Sequence, residues 1–411
     1  MKKFTVAAAM AAALMCGTSA FATDLEVTHW WTSGGEAAAV AEFAKAFDAT
    51  GNHWVDGAIA GSSDVARPLI ISRILGGNPM GATQLNTGRD AEDLIKAGLM
   101  TDLTDLAKSE GWYDVIRPKK LLESCEFEGK LYCVPVNIHS WQWLWLSRPA
   151  FEDNGMEVPT DWNQYVADFP KLREAGVIPF SLAQGWPTNG IFGVLLAGVG
   201  GTDLFLAVNR DKDVSAVEGP DFRKVAQAYA DLRDAVDVNE TVGQWNEATA
   251  QLINNTAAGN IMGDWAQGEF AVAGKVAGKD YDCLPGLGLN AVLDTGGDAF
   301  YFPKNDDPAI TEAQLVLAKT MLSPETQVAF NLKKGSLPVR GDVDMSAANA
   351  CMQKGLKILE DPNGVLPSGE QLLSSDTQQQ LQDLEIEFFS DKSMSIDDFV
   401  GQFADIMGSA D

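Results

Sequence analysis

Histidine is nearly absent from this chain: His29, His53 and His139 are the three in 411 residues. That scarcity leaves little room for a Ser-His-Asp triad. The sequence also has no Gly-x-Ser-x-Gly elbow, no phosphate-cradling glycine loop and no His-Glu-x-x-His pair, so the common hydrolase and nucleotide signatures are missing. Basic residues are few, with 30 Lys and Arg against 57 Asp and Glu and a formal net charge of −27. Such an acidic surface repels polyanions, so neither nucleic acid nor anionic lipid is an expected partner. Beyond the N-terminus no apolar run is long enough to span a bilayer. There is no internal repeat and no low-complexity segment.

What is present starts with Met1-Lys2-Lys3, an apolar run from Phe4 to Leu14, and Ala20-Phe21-Ala22. A basic start, a short apolar run and an Ala-x-Ala end read as a secretory signal peptide over 1–22, cut after Ala22. The run is too short for a membrane anchor. Loss of Lys2 and Lys3 takes the charge from −27 to −29. The mature chain of about 390 residues has length for two or three domains. Export is therefore expected, to the periplasm.

Cys16 leaves with the signal, and Cys125, Cys133, Cys283 and Cys351 remain. An even number in an exported chain suggests two disulfides, with three connectivities open. Cys125 and Cys133 flank Phe127-Glu128-Gly129-Lys130-Leu131, a hairpin pattern. Cys125–Cys133 is thus the local pairing, and Cys283–Cys351 follows. The spacings fit no zinc pattern, and neither a metal nor a cofactor is expected.

Strand-like and helix-like segments alternate through the first hundred residues. Leu25–Trp31, His53–Ala60 and Ala82–Leu85 read as strands; Glu36–Phe47, Ala66–Leu75 and Asp90–Lys96 read as helices. This rhythm predicts an α/β fold on a mostly parallel sheet. Two extended runs follow, near 130–137 and over Trp141–Ser147. Further helices are expected over Asp161–Glu174 with Thr160 as N-cap, Phe222–Val236, Glu247–Ala258 and from Ser323-Pro324. Ligands of open parallel sheets sit beyond the carboxyl ends of the strands. Those ends carry Trp30-Trp31, Gln84–Asn86, Asn137–His139 and Asp264-Trp265.

At the first of these, Gly34 and Gly35 permit a tight turn, the next helix offers free amides, and Glu36 offers an acceptor. Adjacent strand residues face opposite ways, so Trp30 and Trp31 cannot share one core; both are expected to reach a cleft mouth, because alternation lapses where the strand ends. In Trp141-Gln142-Trp143-Leu144-Trp145, alternation puts three indoles on one face, as a core wall or a cleft floor. Eleven Trp with many Asp, Asn and Gln suit a sugar, whose C–H face stacks on indole and whose hydroxyls pair with carboxylates and amides.

The motifs His29-Trp30-Trp31-Thr32-Ser33-Gly34-Gly35-Glu36, Val134–His139, Asn260–Glu269 and Lys333–Arg340 together resemble the periplasmic solute-binding proteins of ABC sugar importers. The resemblance runs from about Leu25 to the C-terminus and is nearest to the glucose/mannose-binding branch. It implies a two-lobe periplasmic-binding-protein fold of type II, maltose-binding-protein-like, closing over a sugar about a hinge. Lobe one would hold 24–137 plus 290–338, and lobe two 138–289 plus 339–411. By the same resemblance, Trp30, Trp31 and Glu36 are ligand contacts of the first lobe, with Gln84 and Asn86 in a strand-end loop and His139 near the hinge. Trp245, Asp264 and Trp265 would form the second-lobe face, Trp265 stacking on the ring, and Asp298 with Lys334 would form a polar pair on hydroxyls. That branch also carries a disulfide where Cys283 and Cys351 fall. Two positions depart from it: Asn86 stands where a basic residue is usual, and Pro367–Gln371 stands where a histidine is. The implied function is a monomeric, non-enzymatic receptor that hands a monosaccharide to an inner-membrane ABC permease. Glucose is favoured, with mannose, galactose or a pentose behind it. A secreted glycosidase and a receptor for a non-sugar solute are the alternatives.

Overall fold

The computed structural model describes residues 22–410 apart from 295 and 362, so the expected signal peptide lies almost wholly outside the described residues. Two sheets organise the chain. The first runs in the order His53–Ala58, Asp24–His29, Ala82–Asn86, Asp298–Tyr301, Cys133–Pro135. Its first three strands are parallel, as βαβ units require. Asp298–Tyr301 then enters antiparallel, with Asp298 opposite Asn86, and Cys133–Pro135 pairs antiparallel on its far side. The second sheet runs Tyr281–Pro285, Trp143–Ser147, Ala257–Ile261, Ile178–Phe180, and only the last pair is parallel. The expectation of a mostly parallel sheet therefore holds for the N-terminal βαβ units alone. Strands that return from far along the sequence complete both sheets.

The helix Gly34–Asp48 shows why local sequence suffices at the start. Ser33 is the N-cap and forms a capping box with Glu36. Ala39, Val40, Phe43 and Phe47 recur at helical spacing and are buried. Elsewhere the local reading needs correction. The expected helix Asp161–Glu174 is two helices, Trp162–Ala167 and Phe169–Glu174, with Pro170 in the first turn of the second. Its cap is Asp161, not Thr160. The helix expected to run to Ala258 spans Trp245–Ile253 and stops before Asn255, whose φ is +60°. Ala257–Ile261 follows as a strand despite its helix-favouring alanines, because it is paired on both sides.

Trp143 and Trp145 stack at 5.6 Å on one face of their strand, and belong to the core that includes the first sheet. Leu144 and Leu146 face the other core, with the helices Trp186–Gly198, Pro220–Ala235, Ser375–Ser390 and Ile396–Ser409. Trp141 does not join that wall. It precedes the strand and meets Trp186 and Trp265 edge-on, each at 5.0 Å. Both cysteine pairs are bonded, Cys125–Cys133 and Cys283–Cys351, with Cα separations of 5.1 and 6.0 Å. Two segments distant in sequence are bridged side by side: Ile138 N–H donates to Leu337 O at 2.7 Å, and Leu337 N–H to Ile138 O at 3.1 Å. Among the described residues no helix is long and apolar enough to cross a membrane.

Candidate functional site

Asp298 opens its strand and is 3% exposed. Every side of its carboxylate is held. Gln84 Nε2 donates to Oδ1 at 2.7 Å, and Asn137 Nδ2 donates to Oδ2 at 2.8 Å. His139 Nδ1 lies 3.3 Å from Oδ2. The Asp298 amide in turn donates to Asn137 Oδ1. Gln84 passes the network on by accepting from the Trp30 amide at 3.1 Å. Three strand ends far apart in sequence are thus tied to one carboxylate.

Lys334, at the C-terminal end of the helix Pro324–Lys334, is also buried. It donates to Glu36 Oε1 at 3.1 Å, and its ammonium lies 5.1 Å from the centre of the Trp31 ring. Burial opposes the charge on both cations, but the surrounding carboxylates outweigh it. His139 is carried up to about 9 by Asp298, Asp264 and Asp294. Lys334 is raised by Glu36 and Asp298. The same attraction holds Asp298 below the ordinary carboxylate range against its desolvation.

Asp264 faces these groups from the second sheet's side. Oδ2 accepts from the Ser140 amide at 3.2 Å, while Oδ1 is buried with no hydrogen-bond partner among the described residues. Burial drives its carboxyl well above the ordinary range, with His139 and Lys334 only partly offsetting it. Trp265 follows, in edge-on contact with His139 at 5.3 Å and with Trp141. Gly263 is required here: a Cβ on it would lie 2.1 Å from the Trp265 ring. Trp141, Trp186 and Trp265 form one indole group beside a buried acceptor, and Trp141 and Trp186 are only half-buried.

Most residues expected at the site do converge: Trp30, Glu36, Gln84, His139, Asp264, Trp265, Asp298 and Lys334. Asn86 lies at the margin, opposite Asp298 in the ladder, its carbonyl accepting from Tyr301 Oη at 3.1 Å. Trp31 does not reach a cleft mouth. It is 1% exposed and packs against Phe43, Phe300 and Phe330, because the strand stops at His29 and the chain turns inward. Trp245 is buried, and no ring contact or side-chain hydrogen bond joins it to the group among the described residues. The amides opening the helix Gly34–Asp48 are not all free, since Gly35 N–H donates to Glu269 Oε1 at 2.6 Å. That contact is close because two glycines meet: a Cβ on Gly35 would lie 2.4 Å from the Gly268 backbone.

The sequence reading placed Asn137 at a ligand-side strand end without choosing it as a contact, and missed Arg67. Asn137 sat inside a quoted motif, and its amide pattern could have marked it. Arg67, in the helix Ser62–Leu75, lies 5.8 Å over the Trp30 ring, with Nε 3.0 Å from Asp90 Oδ2. Only the fold brings it there.

The chain is similar to known proteins over most of its length. Residues 38–354 match the family model for bacterial extracellular solute-binding protein. A probable sugar-binding periplasmic protein of Rhizobium meliloti is 35% identical over 366 residues, covering 88% of this chain and 87% of that one. Among solved structures, the bacterial solute receptor AcbH, described as preferring β-D-galactopyranose, aligns with a TM-score of 0.74 at 19% identity, over 94% of this chain and 97% of that one. Maltose-bound MalE3 of T. maritima aligns with a TM-score of 0.74 at 17% identity, over 94% and 99%. The two-sheet architecture is thus that of the maltose-binding-protein-like receptors. The chain belongs to the bacterial extracellular solute-binding proteins, which are receptors and not enzymes.

Proposed function

We propose that this protein is a monomeric periplasmic receptor that captures a monosaccharide and hands it to an inner-membrane ABC permease, with glucose the favoured ligand and mannose, galactose or a pentose behind it. In this reading the first 22 residues are removed on export. Lobe one is 24–137 plus 290–338, lobe two is 138–289 plus 339–411, and the crossings at Ile138 and Leu337 belong to the hinge. The observation that carries it is the buried, partnerless Oδ1 of Asp264 beside the Trp141, Trp186 and Trp265 indoles. A sugar supplies both missing partners, a hydroxyl for the oxygen and a C–H face for an indole. Trp265 stacks on the ring and His139 and Asp298 read hydroxyls, with Gln84, Asn86, Glu36 and Lys334 around them. Trp30 borders the pocket; Trp31 and Trp245 support it from the core.

The names of the curated relatives favour a sugar, and the range of ligands among the solved receptors leaves its size to experiment. A thermal-shift panel of monosaccharides, disaccharides, amino acids and polyamines tests the reading. One monosaccharide should raise the melting temperature, increasingly with its excess over Kd. Stabilisation by an amino acid or polyamine alone would overturn it, and a preference for disaccharides would overturn the monosaccharide assignment.

A further inference from the structure

Arg67 has a different setting from Arg73 on the same helix. Its Nε lies 3.0 Å from Asp90 Oδ2. The same Asp90 oxygen accepts from the Asn86 amide at 3.2 Å. Its guanidinium lies 5.8 Å from the centre of the Trp30 ring. Trp30 is bonded through its amide to Gln84, and Gln84 to Asp298. The guanidinium is therefore paired by charge with Asp90, without a hydrogen bond from Nε, and lies over an indole, next to the strand end that carries Asn86. Its two terminal nitrogens have no hydrogen-bond partner among the described residues, and the side chain is 29% exposed. By contrast, Arg73, six residues further along the same helix, spends both terminal nitrogens on Glu26, at 2.7 and 2.8 Å.

We infer that Arg67 is a specificity-determining residue of the ligand site, its open guanidinium edge donating to two adjacent hydroxyl oxygens of the sugar. The inference rests on the receptor reading above and deepens it. A planar guanidinium presents parallel N–H donors at a fixed spacing, which suits a vicinal oxygen pair and not a single atom. The anchors matter as much as the donors. Asp90 and Trp30 fix the orientation before ligand arrives, so little side-chain freedom is lost on binding. Asp90 beside the guanidinium already offsets its charge, which leaves neutral hydroxyls as the partner.

Isothermal titration of the full mature chain with D-glucose, D-mannose, D-galactose and D-xylose first identifies a sugar that binds. Arg67→Met should then weaken that sugar about 10- to 100-fold, and Arg67→Lys should also weaken it, because a point charge replaces the fork. Since Arg67→Met strands the half-buried Asp90, the double variant Arg67→Met/Asp90→Asn repeats the measurement with the pair neutral. Monodeoxy analogues of the same sugar separate contact from mere structural support. In the wild type, the analogues lacking either paired hydroxyl bind more weakly than the parent; in the Arg67 variants that difference disappears. Unchanged affinity in both the single and the double variant, or an analogue pattern that survives in them, overturns the assignment while the receptor reading stands. Tighter binding of the corresponding sugar acid than of the sugar would show a carboxylate as the partner and overturn the hydroxyl pair. Failure of all four sugars to bind the wild type overturns the monosaccharide reading and this inference with it.

Discussion

Asp298 and Asp264 face the same two cations, His139 and Lys334, and the fold treats them in opposite ways. Asp298 receives two side-chain amides and an imidazole and stays ionised. Asp264 receives one backbone amide, and one of its oxygens is left alone. Both are buried, so burial does not separate them. The supply of donors does: three strand ends converge on Asp298, and a single loop amide serves Asp264. The lesson is that one carboxylate assembles the site and the other is available for a partner from outside.

Substitutions can break that distinction. The largest effect is expected for Asp298→Asn, which leaves His139 and Lys334 charged and short of a counter-ion. Loss of a buried partner of this kind costs about 3–5 kcal/mol of stability, readable in denaturant midpoints of the ligand-free protein. Next comes Trp265→Ala, expected to cost about 1–3 kcal/mol of sugar affinity if the indole stacks on the ring. Titration calorimetry checks this, and unchanged affinity removes Trp265 from the ligand contacts.

The smallest and most diagnostic effect concerns pH. The raised pKa of His139 means its charged pairing stabilises fully below about 6.5 and fades as pH rises through about 9. The lowered pKa of Asp298 means its contribution is present above about 3.9 and is lost as pH falls through its depressed value. Asp264 runs the other way, since its proton is favoured in the fold: its contribution is present below about 3.9 and is lost as pH rises through its raised value. Asp264→Asn should therefore change stability by less than about 1 kcal/mol at acidic pH, and become relatively more stable than the wild type as pH rises. A flat difference across a pH series of thermal melts would mean that Asp264 is not strained by its charge.

The strand ends were readable because βαβ alternation is local. Trp30, Gln84, His139 and Asp264 were placed at carboxyl ends from hydrophobic period and turn residues alone, and they do meet. What local reasoning could not supply was the antiparallel return of Asp298–Tyr301 between Ala82–Asn86 and Cys133–Pro135, since pairing across some two hundred residues leaves no periodic trace. Trp31 was misjudged for a related reason: where a strand stops by one residue decides which way the next indole turns. Arg67 was invisible because its role depends on a helix lying against a strand end, and an exposed helical arginine ordinarily reads as a solvated charge. The roles given to Asp298 and Lys334 came from resemblance, and the structure adds the bonds that hold them.

The meeting of Gly35 with Gly268 has one more consequence. A fifteen-residue helix ends at the site with its positive pole, a place where many proteins seat a phosphate or a carboxylate. Here that seat is filled from within the chain, because the absence of side chains on both glycines lets Glu269 come up against the Gly35 amide. An arriving anion would meet a carboxylate instead of open amides. The positive pole of that helix is thus neutralised by the chain's own carboxylate, which ties residue 35 to residue 269 across the whole intervening sequence.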